Sequence, residues 1–137
     1  YYMGNNEDPR HAGKRPDLVG KINIPDVPYT AHSAAVDLEF YPLNQTGNSA
    51  FPAEYAGDAF AVLHGSWNRG HRTGHKIVRL PIENDIPTGE YIDFMVGFIA
   101  PDGSAWGRPV ALVVAQDGAL LLSDDGSNIV YRISYQR

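Results

Sequence analysis

The sequence predicts an all-β protein made of two successive β-propeller blades. Short apolar runs that alternate with polar residues are separated by Asp-Gly and similar turns, and no segment repeats its apolar residues every 3.6 positions. The chain also resembles itself. Val36-Asp37-Leu38-Glu39-Phe40 matches Val110-Ala111-Leu112-Val113-Val114, and Lys76-Ile77-Val78-Arg79-Leu80 matches Ile129-Val130-Tyr131-Arg132-Ile133, with an Arg before an aliphatic residue in both. The apolar runs ending at Leu63 and Leu122 fall between these pairs. Antiparallel units repeated along a chain are the pattern of propeller blades.

Each element follows in order. Residues 1–31 are polar and carry the steps Asp8-Pro9, Arg15-Pro16, Ile24-Pro25 and Val27-Pro28. Proline fixes its own φ and restricts its predecessor, so a long loop or linker without helix is expected. Val36, Leu38 and Phe40 alternate with Asp37 and Glu39, the period of a half-buried strand. Further strands are expected at residues 59–63, 76–82 and 91–98. After the Asp102-Gly103 turn, strands are expected at 109–115, 119–122 and 128–135, broken by Gln116-Asp117-Gly118 and Asp124-Asp125-Gly126-Ser127. The expected division is an irregular Pro-rich segment at 1–31, a four-stranded blade at 32–98, and a three-stranded last blade at 99–137 that lacks its closing strand. Two blades leave open edges, which calls for the remaining blades of a longer propeller or for association between copies.

Composition narrows the function. The 137 residues suit one domain, and a chain this long buries about two-thirds of its unfolded surface. Hydrophobic residues at 43% exclude a disordered chain, and 16 acids against 11 bases leave no basic stripe for nucleic acid. The absence of cysteine excludes a disulfide scaffold, a thiolate metal site and a cysteine nucleophile, while leaving the cellular compartment open. No apolar run approaches the roughly 20 residues that span a bilayer, and residues 1–31 do not read as a signal peptide. The chain begins Tyr1-Tyr2 with Met3 behind them, as expected of a fragment.

The densest polar cluster is His64-Gly65-Ser66-Trp67-Asn68-Arg69-Gly70-His71-Arg72-Thr73-Gly74-His75. Trp67 suits stacking on a planar ligand, and Arg69 or Arg72 suits binding its carboxylates; the alternative is a solvated loop whose Trp caps the core. The three His suit zinc or copper by ligand type, but they lie in a Gly-rich loop with no interleaved carboxylate. His32 stands just before the first blade's inner strand. Arg108, in Trp106-Gly107-Arg108-Pro109, stands at the start of the second blade's inner strand and needs an acidic partner or an anionic ligand. Asp124-Asp125-Gly126-Ser127-Asn128 offers oxygen ligands without EF-hand spacing and reads as an Asx turn. Phosphate loops, nucleophile elbows and HExxH motifs are missing.

Several segments, in order, carry a resemblance. They are Tyr2-Met3-Gly4-Asn5-Asn6-Glu7-Asp8-Pro9-Arg10, Ala31-His32-Ser33-Ala34, Phe51-Pro52-Ala53-Glu54-Tyr55 and Gly57-Asp58-Ala59-Phe60. His64-Gly65-Ser66-Trp67-Asn68-Arg69 with Arg72-Thr73-Gly74, Trp106-Gly107-Arg108-Pro109-Val110 and Ser123-Asp124-Asp125-Gly126 complete the set. Over nearly its whole length the chain resembles the C-terminal third of L-sorbosone dehydrogenase-like proteins, relatives of the soluble quinoprotein glucose and aldose-sugar dehydrogenases. The resemblance implies a six-bladed propeller, exported to the periplasm or secreted, that binds pyrroloquinoline quinone (PQQ) with Ca²⁺ and oxidises an aldose or aldehyde. It also implies that the general base and most of the Ca²⁺ ligands lie in earlier blades, and it assigns no catalytic residue and no metal ligand to this chain. Arg108 corresponds to an arginine that contacts the quinone carboxylates. His32 borders the cofactor, and Trp67, Asn68 and Arg69 replace a Lys-containing loop of the relatives. Val110 stands where those relatives place a second Arg. A non-catalytic binding or assembly module is the alternative that this departure favours.

Overall fold

The computed structural model describes residues 1–136 and is all-β. The first residues form a small hairpin, β1 (Tyr2–Met3) and β2 (Asn6–Glu7), turning at Gly4 with φ +57°. Two 3₁₀ turns follow, at Pro9–His11 and Pro16–Leu18, where the sequence reading expected none. The prolines themselves explain the difference. Each sits in the first turn, where its missing N–H has no partner to lose and its fixed φ suits the helix. Asp8 caps the first turn by accepting a hydrogen bond from Arg10 N.

The first sheet contains β3 (Ala35–Phe40), β4 (Ala59–Leu63) and β5 (Lys76–Leu80). The strand expected at 76–82 stops at Leu80, and Pro81 leads into a separate hairpin of β6 (Ile82–Glu83) and β7 (Ile86–Pro87). Asn84 and Asp85 make its two-residue turn, both at positive φ, a conformation these side chains tolerate. The outer strand β8 (Ile92–Met95) completes the antiparallel order β3-β4-β5-β8. The second sheet has β9 (Pro109–Val114), β10 (Leu120–Asp124) and β11 (Ile129–Ile133), ordered β11-β10-β9.

The internal repeat holds in register. Glu39 pairs with Phe60 and Phe60 with Arg79; Val113 pairs with Leu121 and Leu121 with Arg132. The turns into the second strands place Gly57 and Gly118 at φ +85° and +87°, where a side chain would be strained. In each sheet the repeated Arg on the third strand binds an Asp just ahead of the second: Arg79 to Asp58, Arg132 to Asp117.

Phe60, Val62 and Ile77 from the first sheet pack on Leu112, Leu120 and Leu122 from the second, with Tyr41 and Phe98 between them. Burying side chains of this size contributes about 1.5–3 kcal/mol each, so this seam fixes the relative position of the two sheets. The Tyr41 hydroxyl donates to Gly118 O and accepts from Phe51 N, both at 2.8 Å, which leaves the buried oxygen satisfied. The far face of the first sheet buries Ala59, Ala61, Leu63, Val78 and Leu80 beneath Val27, Tyr29 and Tyr91. Among the described residues no helix is long and apolar enough to cross a membrane.

Candidate functional site

The ends of the two inner strands and the β4–β5 loop meet at one end of the inter-sheet seam. The loop is built to hold its shape. Ser66 N donates to Thr73 O at 2.9 Å and Thr73 N donates to Ser66 Oγ at 3.0 Å, closing the base of the loop. At Gly65, φ is +112°, and a Cβ would lie 2.1 Å from the His75 ring, so only glycine fits. His75 is buried behind it, with Nδ1 3.2 Å from Gly107 O. Arg72 donates from Nε to Gly103 O and from Nη1 to Ser66 O, tying the loop to the Asp102-Gly103 turn.

Arg108 is set in place from both ends. Its backbone N–H donates to Asp124 Oδ2 at 2.9 Å. Asp124 Oδ1 accepts from Gly126 N and Ser127 N, the Asx turn expected from sequence. Burial pushes the Asp124 carboxyl up, but these backbone donors and Ser127 outweigh it and hold the group below its usual range. Gly107 makes the close approach possible, since a Cβ there would lie 2.6 Å from Asp124 Oδ2 and 2.4 Å from Phe98 Cδ1.

The guanidinium of Arg108 meets His64. Pro109 O, 2.9 Å from His64 Nδ1, can only accept, so Nδ1 carries the ring hydrogen. That leaves the lone pair on Nε2, which receives Arg108 Nε at 3.1 Å and Nη2 at 2.6 Å. Asp125 lies 3.5 Å away across a solvent-exposed ion pair. Arg108 Nη1 has no acceptor among the described residues, and half of the side chain remains exposed. It lines an open cleft of about 350 Å³ with His64, Ser66, Trp67, Arg72 and His75. A neighbouring cleft of about 460 Å³ shares Trp67 and Arg72 and adds Arg69, His71 and Asp102.

The five residues singled out in sequence are distributed as follows. Arg108 and Trp67 line the same cleft. Trp67 is 87% exposed and caps no core, while residues 67–72 around it are exposed, as a solvated loop would be. Arg69 donates from Nη1 to Ala31 O at 2.7 Å, the same oxygen that receives Thr73 Oγ1. His32 is the next residue, exposed at φ +68°, so Arg69 and His32 border one turn. Asn68 is exposed at the loop tip. His64, the partner of Arg108, was read in sequence only as one of a histidine cluster. Nothing local links residues 44 positions apart, and only the packing of the sheets reveals the pair. Among the described residues no three His, Asp or Glu side chains gather as metal ligands.

The model of the TrAA12-like family matches residues 19–136. The chain belongs to the TrAA12-like family. An uncharacterized protein of Borreliella burgdorferi is 40% identical over 108 residues, covering 78% of this chain and 27% of that protein. Among solved structures, the iodide structure of the Trichoderma reesei carbohydrate-active enzyme family AA12 covers 95% of this chain at 20% identity and a TM-score of 0.70. The holo form of the pyranose dehydrogenase PQQ domain from Coprinopsis cinerea covers 91% at 26% identity and a TM-score of 0.68. This chain spans 32% and 33% of those two. The likeness to these two structures is one of fold, and the second of them is the PQQ domain of a pyranose dehydrogenase.

Proposed function

We propose that this TrAA12-like chain is the cofactor-facing C-terminal part of a PQQ-dependent sugar or aldehyde dehydrogenase of the sorbosone and glucose type, inactive without its other blades. One observation supports this above all. His64 holds the Arg108 guanidinium at the cleft with Nη1 free, beside the exposed ring of Trp67. A planar polycarboxylate fits that donor set: a fixed guanidinium grips a carboxylate, and an indole stacks on a ring. Arg108 would hold the quinone carboxylate, with Trp67, Asn68, Arg69 and His32 forming the rim. When bound, the quinone supplies the electrophilic carbon that takes up hydride. This chain's part is to bind and orient. His64 offers its lone pair to Arg108, so it serves to position that guanidinium and not as the base. Ca²⁺, where the whole enzyme uses it, would take its ligands from other blades, and the reading places that enzyme in the periplasm or outside the cell.

The test is a titration of the chain with PQQ, followed by tryptophan fluorescence, for wild type and Arg108→Ala. Saturable binding that Arg108→Ala weakens tenfold or more, about 1.4 kcal/mol, is expected. Binding of equal strength in both proteins would remove Arg108 from the site. Failure of both proteins to bind, followed by failure of the full-length gene product, would instead favour the non-catalytic binding or assembly module.

A further inference from the structure

One buried side chain holds the peptide groups that precede both Trp67 and Arg108. His75 stands just ahead of β5, buried and at φ +52°, a conformation that side chains adopt rarely. Its ring lies against Gly65, where a Cβ would come within 2.1 Å of Cδ2 and Nε2. From there Nδ1 is 3.2 Å from Gly107 O and Nε2 is 3.4 Å from Ser66 O. These carbonyls belong to the 107–108 and 66–67 peptides, which lead directly into the arginine and the tryptophan of the cleft.

Both partners are carbonyl oxygens, which only accept. A neutral imidazole carries one N–H, so it donates to one carbonyl and turns a lone pair toward the other; the imidazolium donates to both. The surroundings decide which contact each state keeps. The 107–108 peptide is held from its other side as well, since Arg108 N donates to Asp124 Oδ2 at 2.9 Å. Ser66 O has a second donor, Arg72 Nη1 at 3.1 Å, and its contact with His75 is the longer of the two. Loss of the Nε2 proton therefore frees the 66–67 peptide and leaves the Gly107 bond in place.

Charged and titratable groups reach the ring from each neighbouring element. Arg72 comes from its own loop, His64 from the end of β4 and Arg108 from the start of β9, all lining the cleft with it. Asp124, at the end of β10, stands behind Gly107, with Asp125 beyond it at Arg108. His71 and His32 are exposed on their loops, Asp102 lies in the neighbouring cleft, and Lys76 is paired with Asp93. Arg72 and Arg108 oppose a second proton on the ring, whereas the two carbonyl dipoles and the Asp124 carboxylate favour it.

We infer that His75 is a proton-operated clamp. As the imidazolium it ties the β4–β5 loop to the start of β9 and so fixes Trp67 relative to Arg108; as the neutral ring it loosens the loop. His75 is thus a positioning residue, and the inference stands on the chain's own geometry, independent of any cofactor.

The test follows the His75 ring nitrogens by long-range ¹H–¹⁵N spectra from about pH 8 to about pH 5, the range in which histidine changes charge. Amide protection is measured alongside at Ser66 and Thr73, whose N–H groups close the base of the loop. Only Nδ1 is expected to carry a proton at the alkaline end, and both nitrogens at the acid end. Protection at Ser66 and Thr73, corrected for the intrinsic pH dependence of exchange, is expected to rise about tenfold over that step, as a local opening is suppressed. The amides of Phe60 and Val62 within β4 should not follow it. His75→Gln keeps a donor but takes up no proton, so its loop protection should be independent of pH. Should that variant fail to fold, the wild-type ring and amide data decide alone. A ring with one bare nitrogen at the acid end, or with both protons at the alkaline end, would overturn the inference. So would a ring that titrates without changing loop protection, or a step that persists in His75→Gln, as titration of His64 would produce.

Discussion

Asp124 shows how one side chain joins fold and site. Its two oxygens close the turn after β10 and fix the backbone of Arg108, so the cleft inherits its geometry from a buried carboxylate. Because its folded pKa lies below the usual value, the native state binds this proton more weakly than the unfolded chain does. Stability from this group is therefore complete above the unfolded carboxyl pKa, near 3.9, and disappears as pH falls through the lower folded value. Urea unfolding should give a wild-type advantage over Asp124→Asn that is constant above about pH 5 and shrinks on further acidification. A difference unchanged down to pH 2 would remove Asp124 from that role. At this scale the sequence was partly informative. The Asx turn was legible because Asp124 and its donor partners Gly126 and Ser127 are neighbours, whereas the bond to Arg108 spans 16 positions and needs the sheet.

Among the elements, the repeated Arg–Asp pair compares one contact in two environments. The Arg79–Asp58 pair is nearly enclosed, with side-chain exposures of 19% and 5%, and Asp58 Oδ1 also accepts from Ile82 N. Arg132–Asp117 is open, at 48% and 41%. Removing one member of an enclosed pair strands a desolvated charge, so Arg79→Ala should cost about 3 kcal/mol. Arg132→Ala should cost less than about 1 kcal/mol, as exposed pairs do. Chemical unfolding of both variants checks the contrast, and equal losses would contradict it. The repeated Arg and the alternating strands were readable in the sequence because period and spacing are local. The β6–β7 hairpin was not, because Ile82 follows Leu80 across one proline and the apolar run looks continuous. The 3₁₀ turns at Pro9 and Pro16 were missed for a related reason: proline excludes helix interiors but favours their first turn.

For the whole molecule, the two sheets bring together residues that no local pattern connects: His64 from the first, Arg108 from the start of the second, and Trp67 from the loop between strands. The order of motifs pointed toward quinoprotein sugar dehydrogenases, while the family that matches is TrAA12-like and not the sorbosone dehydrogenases specifically. The tie between His64 and Arg108 was hidden, since it exists only where the seam ends. Under the proposed function, that junction is a preformed half-site for an anionic planar ligand. Its most direct test is a ¹⁵N correlation spectrum of the chain, including arginine Nε and indole signals, recorded while PQQ is added. Arg108 Nε, the His64 ring and the Trp67 indole are expected to shift together with one saturation curve, while Arg79 and Arg132 stay in place. Shifts confined to other residues, or none at Arg108 and His64 while PQQ binds, would contradict it.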